Sequence, residues 1–278
     1  MRIVVILGQV LDPSGIVIKR RAGRIFVNRE EYVLQPADRC ALEAALRIKN
    51  AALAGLRPSQ GVEVVALPRG PLPDDDVLRQ ALATGADRAV YLTGEGFDGA
   101  DDAAMARVLA VAVERLGGAD LVITGATTFD TGQGQLGPRL AETLGWPQIV
   151  GAWQVEAADG RVRVVRQEGS GYVVVNADLP VVITVLPGAL KPRYPDGARL
   201  INVYRAEDAV EKWDVSDLVS DLVDEAALQP LLEKRGQDFP PERERGVRLS
   251  GTPEEMAQAL ADTLRQRLGR RPATARER

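Results

Sequence analysis

Short apolar runs and amphipathic segments alternate over roughly the first 150 residues. "RIVVIL" (2–7) is a continuous, β-branched run, the pattern of a strand buried on both faces of a parallel sheet. "VEVVAL" (62–67), "DRAVYL" and "ADLVIT" repeat it. Between them, "PADRCALEAALRIKNAAL" (36–53) sets Leu42, Ala45, Leu46 and Lys49 at helical spacing, and "DDDVLRQALATG" reads as a helix closed by Gly85. "DAAMARVLAVAVERLGG" carries Met105, Val108, Leu109, Ala112 and Leu116 on one stripe. This alternation predicts an α/β fold with a parallel sheet covered on both faces.

After Trp146-Pro147 the period changes to two. "IVGAWQVEAADGRVRVVRQEGSGYVVVNADLPVVITVL" breaks at Asp159-Gly160 and at Gly169-Ser170-Gly171, which predicts an antiparallel β-meander appended to the parallel sheet. "PGALKPRYPDGARLINVY" (187–204) is Pro- and Gly-rich and reads as an exposed, shaped loop. Beyond a charged, thinly apolar stretch, Thr252, Pro253 and Glu255 form a capping signature before a helix bearing Met256, Leu260, Leu264 and Leu268. That stripe needs a surface to cover, in its own domain or on a partner subunit. The expected division is an α/β domain with meander (1–186), a loop region (187–206), a C-terminal arm (207–269) and a disordered tail (270–278).

The fourth strand runs directly into "GATTFDTGQGQLGPRLAETLGWPQ" (125–148), a segment with five glycines around a short amphipathic helix. In open parallel sheets, ligands bind beyond the carboxyl ends of strands, where loops lead into helix N-termini. Gly125, Gly132, Gly134 and Gly137 would let backbone amides approach an anion, aided by the positive end of a helix starting near Gly134 to Pro138. The loop is either a phosphate cradle or an ordinary βα connection, since it is neither GxGxxG nor GxxxxGK[ST].

Composition removes alternatives. With no histidine and one cysteine, the chain has no Ser-His triad, no Cys-His dyad, no zinc site of the usual ligand sets and no internal disulfide. Cys40 is expected as a small side chain, buried or half-buried. A formal charge of -4 and a pI near 5.2 argue against a nucleic-acid partner. The opening run is too short for a secretory signal and no stretch predicts a membrane span, so the expected location is cytoplasmic, without membrane insertion.

Five segments, in order, resemble the β subunit of electron transfer flavoproteins: "QPADRCALEAALRIKN", "LRQALATGADRAVYL", "DLVITGATTFDTGQGQLGPRLAETLGWPQ", "KPRYP" and "GVRLSG". The likeness extends from Met1 to about Gly269. It implies an adenine-nucleotide-binding, Rossmann-like α/β fold with a C-terminal helical arm, paired with an α subunit that holds the redox-active FAD. The β subunit would bind AMP or, in electron-bifurcating members, a second FAD, and the α-subunit FAD would be shared by the pair. Implied partners are the α subunit, acyl-CoA-type or other flavin dehydrogenases, and a quinone oxidoreductase. The chain would be a carrier subunit and not an enzyme, because the redox step belongs to flavin. Two other classes share the broad fold: a nucleotide-binding regulator similar to universal stress proteins, and an adenylating enzyme. The meander, "KPRYP" and the distal capped helix favour the flavoprotein, and an adenylating enzyme would want basic residues in the cradle.

The resemblance carries binding positions onto Ile6, Gly8, Gln35, Pro36, Ala37, Asp38 and Arg69, and onto the cradle residues Gly125, Thr127, Asp130, Thr131, Gly132, Gln133, Gly134, Gln135, Leu136 and Gly137. Gly8 and Ala126 stand where lysines are usual, and Gln35 where asparagine is. Losing two cations weakens electrostatic holding of a phosphate. Arg69 either compensates with its fork or is a solvated arginine. Segment 187–204 corresponds to the family's recognition loop for dehydrogenases, here longer and without its lysine run. Arg193, Tyr194, Leu200 and Ile201 are the docking candidates; Leu200 and Ile201 are either an apolar anchor or core.

Overall fold

The computed structural model describes residues 1–19, 24–54, 61–94, 100–219, 230–232 and 246–268. The chain forms two compact units, Met1–Lys234 and Arg235–Arg278. The first contains β1 (Arg2–Leu7), β2 (Gln9–Leu11), β3 (Ile16–Lys19), β4 (Arg24–Val27), β5 (Tyr32–Leu34), α1 (Pro36–Leu53), β6 (Glu63–Pro68), α2 (Asp76–Thr84), β7 (Arg88–Thr93), α3 (Asp102–Arg115), β8 (Leu121–Gly125) and α4 (Leu136–Leu144). It continues with β9 (Gln148–Ala158), β10 (Arg161–Glu168), β11 (Gly171–Asp178), β12 (Val181–Val185), α5 (Gly197–Arg205), β13 (Glu211–Asp214) and α6 (Val215–Val219).

One nine-stranded sheet organises this unit, in the order β11-β10-β9-β12-β8-β1-β6-β7-β13. From β9 to β13 neighbouring strands are parallel; β10 and β11 add antiparallel hairpins at one edge. Why the runs are continuously apolar is clear from β1. Ile3, Val5 and Leu7 face a core under α1 and α2, whereas Val4 and Ile6 face a second core under α3, α4 and α6. Both cores exclude water, so alternation of residue type would bury a polar side chain on one face. The fold is therefore the expected α/β class with its meander. Asp159 and Gly160 both take positive φ (53° and 73°), as a two-residue turn matched to strand twist requires.

The loop reading of 187–204 needs correction. Its first half packs on α1: Leu190 is buried, and its carbonyl oxygen lies 3.3 Å from the buried Cys40 Sγ. Its second half is helical, as α5, begun by Asp196 accepting from the Arg199 amide at 2.9 Å. Three prolines and two glycines hid a helix without a buried residue, tied to α2 where Arg79 Nη1 donates to the Val203 and Ala206 carbonyls at 2.6 and 2.9 Å. Beyond it, β13 pairs with β7 and extends the sheet, so the first unit runs past the boundaries expected at 186 and 206.

In the second unit, α7 (Pro253–Leu268) starts at the expected capping box. The Thr252 amide donates to Glu255 Oε2 at 2.8 Å, and the Glu255 amide donates to Thr252 Oγ1 at 3.3 Å. Met256 is half-buried, and Leu260, Leu264 and Leu268 are exposed. The tail expected over 270–278 lies outside the described residues.

Candidate functional site

The sheet changes direction between β1 and β8. β1 leads through α1 to β6 on one side, while β8, entered after α3, lies on β1's other side and leads into α4 on the opposite face. At such a point two loops diverge and leave a crevice at the carboxyl ends of the strands. Gly8 follows β1, Gly125 ends β8, and Arg69 follows β6, its amide donating to the Leu7 carbonyl at 2.7 Å.

Asp38, in the first turn of α1, ties this crevice together. Its Oδ2 accepts the Gly8 amide at 2.9 Å and its Oδ1 accepts the Gly125 amide at 2.8 Å. The carboxylate is fully buried, and desolvation pushes its pKa up to about 6 against the pull of Arg69 and the two amides. Arg69 Nη1 lies 3.6 Å from Asp38 Oδ1 and donates to Thr124 Oγ1 at 3.2 Å. The glycines here serve packing. A Cβ on Gly125 would lie 2.4 Å from Asp38 Oδ1 and 2.7 Å from the Ala37 Cβ, and one on Gly137 would lie 2.4 Å from the Thr184 Cγ2.

This corrects the expectation that the Gly125 amide faces an external anion, because Asp38 already occupies it. The loop tip is likewise closed on itself. The Thr128 amide donates to the Gln133 carbonyl at 2.8 Å, Gly132 to the Thr128 carbonyl at 3.1 Å, and Thr131 to Asp130 Oδ1 at 2.7 Å. Asp130, Thr131, Gly132 and Gln133 are exposed around these bonds, as is Thr127. The amides of Gly134, Gln135, Leu136 and Gly137 make no hydrogen bond among the described residues, and no side chain caps α4. These are the open donors of a helix N-terminus, a surface suited to an anion.

The remaining predicted positions separate. Ile6 is wholly buried in the core under α3 and α4, and within β1 it is paired with β6 on one side and β8 on the other. Gln35, at the α1 N-cap, donates its amide to the Gly8 carbonyl at 2.9 Å; its buried Oε1 has no partner among the described residues. Pro36 opens α1, and Ala37 packs on Gly125. Arg69 is no solvated arginine, since its side chain is 10% exposed. Its Nη2 and the Gln9 Nε2 are buried without partners among the described residues. Sequence reading missed Gln9 and Thr124. A glutamine directly after a strand-ending glycine was the available signal for Gln9, whereas nothing in the sequence sets Thr124 apart from any other buried strand threonine.

Among the docking candidates, Arg193 is committed inward: its Nε and amide donate to Glu43 Oε2 at 2.8 and 3.2 Å, and its Nη2 to Oε1 at 3.3 Å. Burial pushes Glu43 up, but Arg193 and Arg47 outweigh it and hold its pKa below the usual range. Tyr194 and Ile201 are exposed, 84% and 53%, and Leu200 is half-buried.

A parallel sheet covered on both faces, with loops diverging at its switch point, defines the class: an open α/β protein with a glycine-rich loop leading into a helix N-terminus. Residues 24–218 match the sequence model of the family described as electron transfer flavoprotein domain, and the chain belongs to that family. It is 31% identical over 268 residues (96% of its length, 99% of the relative's) to the electron transfer flavoprotein subunit beta of Thermoanaerobacterium thermosaccharolyticum. It is 30% identical over 272 residues (96% and 99%) to the acryloyl-CoA reductase electron transfer subunit gamma of Anaerotignum propionicum. Protein FixA of Bradyrhizobium diazoefficiens is 32% identical over 273 residues (95% and 91%). No helix among the described residues is long and apolar enough to cross a membrane, and no group of three or more Asp, Glu, Cys or His there could hold a metal ion.

Proposed function

We propose that this chain is the β-type subunit of a heterodimeric electron transfer flavoprotein, holding an adenine nucleotide, AMP or a second FAD, in the crevice between β1 and β8. The observation that carries this is the pairing of open α4 amides with buried, unpartnered polar atoms on Gln9, Gln35 and Arg69, around the strand ends where the two loops diverge. Buried polar atoms are normally satisfied, and a ligand with a phosphate and a polar ring supplies both acceptors and donors. The residues fit such a group. Asp38 fixes the two strand ends, Gln35 and Gln9 offer an acceptor and a donor, and the α4 amides face the anion.

When bound, a flavin supplies the redox chemistry, and the protein supplies binding, orientation and the local field. The second unit serves as an arm on the FAD-bearing α-type subunit, with the stripe Met256, Leu260, Leu264 and Leu268 against it. Tyr194 and Ile201, carried outward by the segment after β12, form the docking face for a flavin dehydrogenase, and electrons pass onward to a quinone-reducing acceptor. The rigid tie of Arg193 to Glu43 holds that segment on α1 without touching a partner. Co-expression with the α-type partner tests the reading. A purified 1:1 pair with a flavin absorbance spectrum is expected, and a stable pair without flavin would contradict it.

A further inference from the structure

Arg69 comes back over the end of β1 and crowds the space beside residue 8. A Cβ built on Gly8 would lie 3.1 and 3.2 Å from the Arg69 Cδ and Cβ. The guanidinium end is then held from two elements, by Thr124 Oγ1 on β8 at 3.2 Å and by Asp38 Oδ1 on α1 at 3.6 Å. Both contacts use Nη1. Asp38 has little left to offer, because each of its oxygens also accepts a strand-end amide, from Gly8 and Gly125. Nη2 is left buried with no acceptor among the described residues, on a side chain nine-tenths buried.

An unsatisfied, fully charged donor is a costly thing to bury, and phosphate is the acceptor whose geometry suits a planar fork best. The arrangement is also local to the crevice, since Gly8 and Thr124 sit at the ends of the two strands between which the loops diverge. A cation reaching this point from β6 crowds one projecting from residue 8, whose first side-chain carbon would already meet Arg69 at 3.1 Å.

Resting on the nucleotide reading above, we infer that Arg69 is the phosphate-binding cation of this crevice, that Asp38 is its positioning residue, and that a glycine at residue 8 is what admits it. Arg69 Nη2 donates to a phosphate oxygen of the bound adenine nucleotide. Asp38 holds Nη1, so the fork is oriented before the ligand arrives, and the α4 amides meet the same anion from the other strand.

Binding of AMP and of FAD to the purified full-length chain, measured by isothermal titration together with thermal unfolding, tests this. Arg69→Ala is expected to raise Kd by about 10- to 100-fold, the scale of one charge-assisted hydrogen bond. Gly8→Lys alone gives no gain, because Arg69 stands in its way. Gly8→Lys combined with Arg69→Ala recovers much of the loss. Asp38→Asn weakens binding when Arg69 is present and has little further effect in the Arg69→Ala background, a coupling that mere loss of fold stability would not produce. Arg69→Met keeps the aliphatic packing and serves if the alanine variant does not fold. Unchanged affinity in a folded Arg69→Ala or Arg69→Met chain would overturn the inference while leaving the nucleotide reading intact; a wild-type chain that binds neither AMP nor FAD would overturn both.

Discussion

The two ends of the central sheet treat charge in opposite ways. At the amino ends of the strands, Arg2 donates to Glu63 at 2.7 Å and to the Leu116 and Gly118 carbonyls, and Arg88 bridges Glu211 at 2.7 and 3.0 Å and Glu63 at 3.5 Å. These side chains are about one-third exposed. At the carboxyl ends, Asp38 and Arg69 are buried, and Arg69, Gln9 and Gln35 each keep an unpartnered atom. The amino end is a completed ladder, explained by the fold alone. The carboxyl end keeps polar atoms without partners among the described residues, which is why the nucleotide is proposed there.

Substitutions at the two ends should therefore differ sharply. Gly125→Ala is expected to cost the most, about 4 kcal/mol or outright failure to fold, because its methyl meets a buried carboxylate and the α1 backbone at 2.4 and 2.9 Å. Chemical denaturation measures this, and a variant within about 1 kcal/mol of wild type would remove the packing role of that glycine. Asp38 comes next. Its pKa is raised from 3.8 to about 6, so between those values the folded chain keeps a proton the unfolded chain has released. Stability from this group is then full below about pH 4 and falls by about 3 kcal/mol as pH rises to about 6. Carboxylates held low, among them Glu63 and Glu211, slope the other way at lower pH. The informative quantity is the difference between wild type and Asp38→Asn, which should carry the falling slope; a flat difference across that window would show Asp38 to be ionised throughout.

The smallest effect belongs to the amino end. Arg88→Ala should cost about 1 kcal/mol or less, shrinking further in high salt, as partly exposed pairs do. A cost as large as that at Gly125 would erase the contrast between the two ends.

Much of this was legible in the chain because burial on both faces writes itself as unbroken apolar runs: β1, β6, β7 and β8 and their helices follow from periodicity. The two-stranded pairs β2–β5 and β3–β4 escaped because their strands are only three or four residues long and pair only within this segment. β13 escaped for a different reason. "EKWD" is half-exposed edge strand whose place is set by β7, far away in sequence. At the site, the glycine loop and Asp38 were visible, but their roles were inverted: Gly125 is small to let Asp38 reach its amide, and the open amides lie further on, at α4. The closeness of Arg69 to Gly8 could not be seen, since it depends on two strand ends meeting in the folded sheet.

The central claim is that the crevice between β1 and β8 holds an adenine nucleotide. Denaturing the purified chain with its α-type partner, removing the protein and identifying released nucleotides by mass tests it most directly. The expected result is AMP beyond the flavin content, or FAD at two per pair. One FAD per pair with no AMP, and no uptake of added AMP or FAD, would contradict it.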